Sequence, residues 1–259
     1  MNPATFAYHR AASVDEAIAL LARFPDDGKL LAGGHSLLPA MKLRLAEPGN
    51  LIDIAAIPGL RGIRRTGATI EIGALTTHHD LERDAVLLAS CPVLAETAAK
   101  VGDVQVRNRG TIGGALAHAD PSADYPAAIL ALEAEMVVQG PNGVRVIPAA
   151  EFFVDLFTTS LTPDEVLIAI RVPAATPHVG SRYQKLANQA SGYAIVGVAA
   201  IVELAADGTC AAVNIGVTGA AAKPFRAAAV EAALRGGKLD AAALKGAVAH
   251  ATDGVDLLA

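Results

Sequence analysis

The spacing of apolar positions changes several times along this chain, and the changes mark out its elements. Near the start, Val14, Ala17, Ile18 and Leu21 recur at helical spacing. Ser13 precedes them as a good N-cap, and Glu16 completes a capping box. Pro25 and Gly28 end that helix. Lys29 to Ala32 then reads as a short apolar strand that runs straight into Gly33-Gly34. Leu37 to Leu45 suits a helix with Pro39 in its first turn, and Leu51 to Ile54 suits another strand. Beyond a boundary at Ile57-Pro58-Gly59, Thr69 to Ile72 is a strand, Thr77 and Asp80 cap a helix, and Pro92 begins another. Arg107 to Gly114 is polar and glycine-bearing, which predicts a loop. Pro126 to Leu132 is helical. Met136 to Gln139 and Val144 to Ile147 flank Pro141-Asn142-Gly143 as a hairpin. A strand at Val166 to Val172 and a proline-bearing linker from Pro173 to Gly180 lead to the last part. There, strands at Arg182 to Leu186, Ala194 to Glu203 and Ala211 to Val217 precede helices at Arg226 to Leu234 and Asp240 to His250. Asp207-Gly208 supplies a turn. The whole reads as an α+β fold with mixed sheets.

Composition narrows the function classes. The 259 residues are 53% apolar, much of it alanine, which favours helix and close packing. No uninterrupted apolar stretch is long enough for a transmembrane helix, so no integral membrane segment is expected. Met1 to Phe6 lacks the basic start and apolar run of a signal peptide, so a cytoplasmic protein is expected. A net charge of −5 argues against nucleic acid. The densest basic cluster, Arg61, Arg64 and Arg65, reads as a solvated loop. Cys91 and Cys210 are too few for an iron–sulfur cluster, which takes about four cysteines, and read as buried thiols.

Two segments carry chemistry. A strand ending in Gly33-Gly34 leaves backbone N–H groups free at a turn, where glycine permits positive φ and close approach. Successive free N–H groups attract phosphate oxygens, and Ser36 adds a hydroxyl. Gly110-Thr111-Ile112-Gly113-Gly114 repeats the logic, so the two segments together suit a diphosphate. The chain has neither a G-x-G-x-x-G nor a G-x-x-x-x-G-K-[ST] motif, which disfavours Rossmann and P-loop readings. His78-His79 reads as helix surface, because adjacent helical residues do not face one site.

Leu31-Ala32-Gly33-Gly34-His35-Ser36-Leu37-Leu38-Pro39 and Arg107-Asn108-Arg109-Gly110-Thr111-Ile112-Gly113-Gly114 resemble the FAD-binding medium subunits of molybdenum hydroxylases, the carbon monoxide dehydrogenase and xanthine dehydrogenase family. Met41-Lys42-Leu43-Arg44, Asp120-Pro121-x-x-Asp124 and Tyr183-x-Lys185-Leu186 extend the resemblance over nearly the whole chain. It implies a two-part FAD-binding domain of the PCMH-like type, residues 1–56 and 57–175, followed by a smaller α+β domain with an antiparallel sheet, 176–259. It implies that Ala32, Gly33, Gly34, His35, Ser36 and Leu37 line the flavin pyrophosphate with Gly110, Thr111, Ile112, Gly113, Gly114 and Ala115. Asp124 would bond flavin sugar hydroxyls, with a helix N-cap as the alternative. Lys185 would lie near the flavin ring, with an exposed strand lysine as the alternative. Tyr193 would sit beside the isoalloxazine or pack in the core. Leu167 and Ile112 are flavin contacts or core, and His35 and His118 line the pocket. Ala115 departs from the polar residue common in the family.

The function so implied is electron relay. A large molybdopterin subunit and a small subunit with [2Fe-2S] clusters would be the partners, in a dimer of heterotrimers. FAD in this chain would pass electrons to an external acceptor. No catalytic residue or metal ligand is expected here. The alternative is a stand-alone flavoprotein oxidase or dehydrogenase, for which no catalytic base is visible.

Overall fold

The computed structural model describes residues 2–258. Its first unit comprises β1 (Ala7–Arg10), α1 (Val14–Arg23), β2 (Gly28–Leu31), α2 (Leu37–Lys42) and β3 (Asn50–Asp53). The strands form a parallel sheet in the order β1-β3-β2. The Ser13 hydroxyl accepts the Glu16 N–H at 3.1 Å, while the Glu16 carboxylate accepts the N–H of Ala12 at 2.7 Å. The predicted box therefore closes one residue early. α1 turns Ala17, Ile18 and Leu21 inward against Ile52, Leu60, Leu75 and Val166. Ligand loops of open parallel sheets lie at the carboxyl ends of their strands, and β2 delivers residues 32–37 there.

The middle of the chain runs β4 (Ile63–Thr66), β5 (Thr69–Gly73), α3 (His78–Arg83), α4 (Ala85–Ser90), α5 (Pro92–Lys100), α6 (Val104–Arg107), α7 (Ile112–His118), α8 (Tyr125–Ala131), β6 (Glu135–Gly140), β7 (Gly143–Pro148), α9 (Ala149–Phe152), β8 (Phe153–Asp155), β9 (Thr158–Thr159) and β10 (Val166–Pro173). An antiparallel sheet of order β4-β5-β10-β6-β7 carries Ile70, Ile72, Met136, Val138 and Ile170 into the largest core. There they meet Leu81, Leu94, Leu116 and Ile129 from the helices. Thr77 and Asp80 cap α3 reciprocally, as their spacing predicts.

The last unit holds β11 (Val179–Ala187), β12 (Ala194–Leu204), β13 (Cys210–Thr218), β14 (Phe225–Arg226), α10 (Ala228–Leu234) and α11 (Ala241–Val248). Its sheet is antiparallel in chain order. Tyr183 and Ala199 join the main core, while Val213 and Val217 pack with Val230, Leu234 and Ala247. The fold is thus α+β, with an antiparallel sheet in its last part.

Three expectations change. Arg107 to Gly114 is not one loop: it holds the end of α6 and the first turn of α7. The helix after Ser36 stops at Lys42, short of Leu45. Arg64 and Arg65 lie on β4 and not in a loop, and Arg64 pairs with Glu71 at 2.7 Å. Both cysteines are buried and unpaired, and burial pushes the Cys91 thiol up to about 12. Among the described residues, no helix is long and apolar enough to cross a membrane.

Candidate functional site

The two glycine segments meet. A Cβ on Gly33 would collide with the Arg109 carbonyl oxygen and lie 2.8 Å from Gly110 Cα, so only glycine lets these backbones touch. Gly34 turns the chain at φ +74°, a left-handed conformation that a side chain disfavours. Among the described residues, the backbone N–H groups of Gly33, Gly34, His35, Ser36 and Leu37 find no acceptor in the protein. The Ser36 hydroxyl makes no capping bond either. His35 folds back, its Nδ1 lying 3.0 Å from the Gly33 carbonyl oxygen. Five successive donors at one turn are what an anion-binding nest needs.

The second segment is built differently from the expected mirror image. Ile112 N–H donates to the Thr76 carbonyl at 3.1 Å, and Gly113 N–H to that of Ala74 at 2.8 Å. Gly114 N–H donates to Thr111 Oγ1 at 3.2 Å, and Ala115 N–H to the Thr111 carbonyl at 3.0 Å. Most of its donors are therefore committed, to α7 itself or to the chain just after β5, and the Thr111 N–H is the one backbone donor here with no acceptor among the described residues. Beside that donor it offers a ligand a close wall: a Cβ on Gly114 would come within 3.8 Å of the Ala32 side chain.

Asp124 lies at the start of α8 but makes no capping bond. Instead Tyr183 donates its hydroxyl to Oδ1 at 2.5 Å, and Lys185 Nζ donates to Oδ2 at 2.9 Å and to the Lys100 carbonyl at 3.0 Å. The ion pair is buried, the Lys185 side chain 4% exposed and that of Asp124 6%, so neither bland alternative holds. Burial pushes the Asp124 carboxyl up, opposed by the bonds from Tyr183 and Lys185. Tyr193 is half exposed, and burial and the charges of Asp120 and Asp124 raise its phenol, which places it on the Asp124 side. His118 is half-buried against the Phe157 ring, 5.2 Å between centroids, and burial lowers its pKa. Ile112 and Leu167 lie in the main core, 0% and 6% exposed.

A family model described as the FAD binding domain in molybdopterin dehydrogenase matches residues 4–175. The chain belongs to this family of FAD-binding oxidoreductase subunits. A second model, the CO dehydrogenase flavoprotein C-terminal domain, matches residues 181–259. The carbon monoxide dehydrogenase medium chain of Hydrogenophaga pseudoflava is 47% identical over 226 residues, 87% of this chain and 78% of that one. That of Afipia carboxidovorans is 41% identical over 251 residues, covering 97% and 87%. A solved carbon monoxide dehydrogenase chain from Hydrogenophaga pseudoflava superposes with a TM-score of 0.96 at 46% identity, over 100% of this chain and 90% of that chain. Quinoline 2-oxidoreductase from Pseudomonas putida 86 gives 0.93 at 32% identity, with the same coverage.

FAD is the cofactor of this family, and the neutral donors at the first glycine pair suit its diphosphate. Sequence reasoning gave no site role to three further residues near these segments. Tyr183 holds the Asp124 carboxylate. His78, read as helix surface, is 3% exposed, and its Nδ1 lies 2.9 Å from the hydroxyl of Tyr125. Tyr125 is itself 1% exposed, and burial raises its phenol well above the usual value. His79, next to His78, instead points toward Glu82 at 3.3 Å, so the adjacency argument against a shared site stands.

Proposed function

We propose that residues 32–37 hold the FAD diphosphate, with 110–115 as the opposing wall, and that the chain relays electrons from partner [2Fe-2S] clusters to an external acceptor. The observation that carries the reading is the run of unpaired N–H groups from Gly33 to Leu37, packed against Gly110. A bound flavin supplies the electron-transfer chemistry, and the protein supplies placement and electrostatics. Gly33 to Leu37 would donate from the backbone and Ser36 from its hydroxyl. Asp124, paired with Lys185 and fixed by Tyr183, would accept from the sugar hydroxyls. Lys185 would bring positive charge toward the ring, and the exposed face of Tyr193 would flank it. His35 and His118 would line the pocket, while Ile112 and Leu167 would back it from the core.

The names of the relatives, medium chains of larger dehydrogenases, support assembly with a large molybdopterin subunit and a small iron–sulfur subunit. We place the complex in the cytoplasm as a dimer of heterotrimers. The oxidised substrate then belongs to the large subunit. The purified chain should show a flavin absorbance spectrum and rebind FAD after its removal. It should oxidise the substrate of the complex, whether carbon monoxide, an aldehyde or an N-heterocycle, only when joined by its partners. Turnover by the chain alone would favour a stand-alone oxidase, and a chain that cannot bind FAD would sink the whole reading.

A further inference from the structure

His78 is a buried imidazole with one ring nitrogen accounted for. Its Nδ1 faces the Tyr125 hydroxyl at 2.9 Å. That hydroxyl has no other partner among the described residues, and both side chains are almost fully buried. A phenol proton left unpaired at a buried site is costly, so Tyr125 donates and Nδ1 accepts. The ring proton is thereby placed on Nε2. Burial, with the nearby charges of His35 and Arg107, lowers the imidazole to about 4, so it stays neutral at physiological pH. Among the described residues Nε2 has no hydrogen-bond partner. It lies against Gly110, where a Cβ would come within 2.6 Å of it, and Gly110 is the residue that Gly33 touches. His78 is tied to the same backbone by its own N–H, which donates to the Gly110 carbonyl at 3.0 Å.

We infer that His78 is a further binding residue for the cofactor, presenting an Nε2–H, fixed by Tyr125, to a diphosphate oxygen where Gly33 meets Gly110. The inference rests on the proposal that the FAD diphosphate lies there. It explains why a histidine occupies a core position at the start of α3, and why position 110 lacks a side chain on that side.

Two isosteric variants separate binding from packing. His78→Gln can place an amide N–H near the Nε2 position. His78→Asn can meet Tyr125 but does not reach as far as Nε2. FAD affinity of the deflavinated chain, measured by quenching of flavin fluorescence, should stay within about threefold for His78→Gln and weaken by about tenfold or more for His78→Asn, as for a lost hydrogen bond to a charged group. The 31P resonances of bound FAD should move in His78→Asn. Equal affinity in wild type and His78→Asn, or equal loss in both variants, overturns the inference. Should neither variant fold, the wild-type chain decides. FAD should shift the His78 Nε2 15N resonance of an Nε2–H tautomer, and an Nδ1–H tautomer or an unmoved resonance overturns the assignment. Failure of the wild-type chain to bind FAD would instead remove the proposal beneath it.

Discussion

A methyl group on Gly33 has nowhere to go, because the Arg109 carbonyl and the Gly110 backbone fill the space. Gly33→Ala should therefore cost about 1–3 kcal/mol as overpacking. Flavin retention should fall with it, which denaturant melts with and without FAD would measure. Asp124 poses the opposite problem. Asp124→Asn leaves the buried Lys185 ammonium without its counter-charge, a loss of about 3–5 kcal/mol. A second change, Lys185→Met, should restore part of it, and a double-mutant cycle that shows no coupling would refute the pairing. His78 carries a pH signature. Its folded pKa, about 4, lies below the usual 6.5, so the unfolded chain binds the extra proton first. Stability from this group is fully present above 6.5 and is lost as pH falls toward 4. Between pH 7 and pH 5 the loss is about 2 kcal/mol. Urea midpoints of wild type and His78→Gln should converge over that interval.

Among the elements, α7 shows what holds a glycine-rich helix start in place. Thr111 caps it through Gly114, while Ile112 and Gly113 donate to Thr76 and Ala74. Thr111→Ala should cost about 1 kcal/mol, read from thermal melts of the FAD-free chain, and an unchanged melting temperature would refute the capping role. This helix also shows where sequence patterning stops. β2 and Gly33-Gly34 were legible because apolar run, glycine pair and the following helix are all local. The start of α7 was not, because its glycines look like a loop until the acceptors at Ala74 and Thr76 are known, far back in the chain. His78 was misread for the same reason. A polar residue at a helix start suggests surface, and only Tyr125, which arrives from α8, makes it core. In the last sheet the three long strands and the turn at Asp207-Gly208 were legible from apolar runs, while the antiparallel arrangement came from the family resemblance. β14 was not, being two residues long and defined by its pairing with β13.

For the whole molecule, the proposed site draws on all three units: residues 32–37 after β2, 110–115 leading into the first turn of α7, and Lys185 and Tyr193 in the last unit. One FAD should therefore stabilise all three together. At a hundredfold excess over Kd the gain is about 2.7 kcal/mol. Hydrogen exchange should slow at 33–37 most of all, since those N–H groups have no acceptor among the described residues. Protection confined to one unit would contradict a shared site.

The buried pair between Asp124 and Lys185 has a bearing on inheritance. The two family models meet between residues 175 and 181, as though the halves were separable modules. The carboxylate comes from one half, and the ammonium and the Tyr183 hydroxyl that satisfy it come from the other. Recombination between relatives at this junction would succeed only where both parents carry the matching aspartate, tyrosine and lysine. A library of chimeras cut at this junction should therefore be sorted by these three positions before any other.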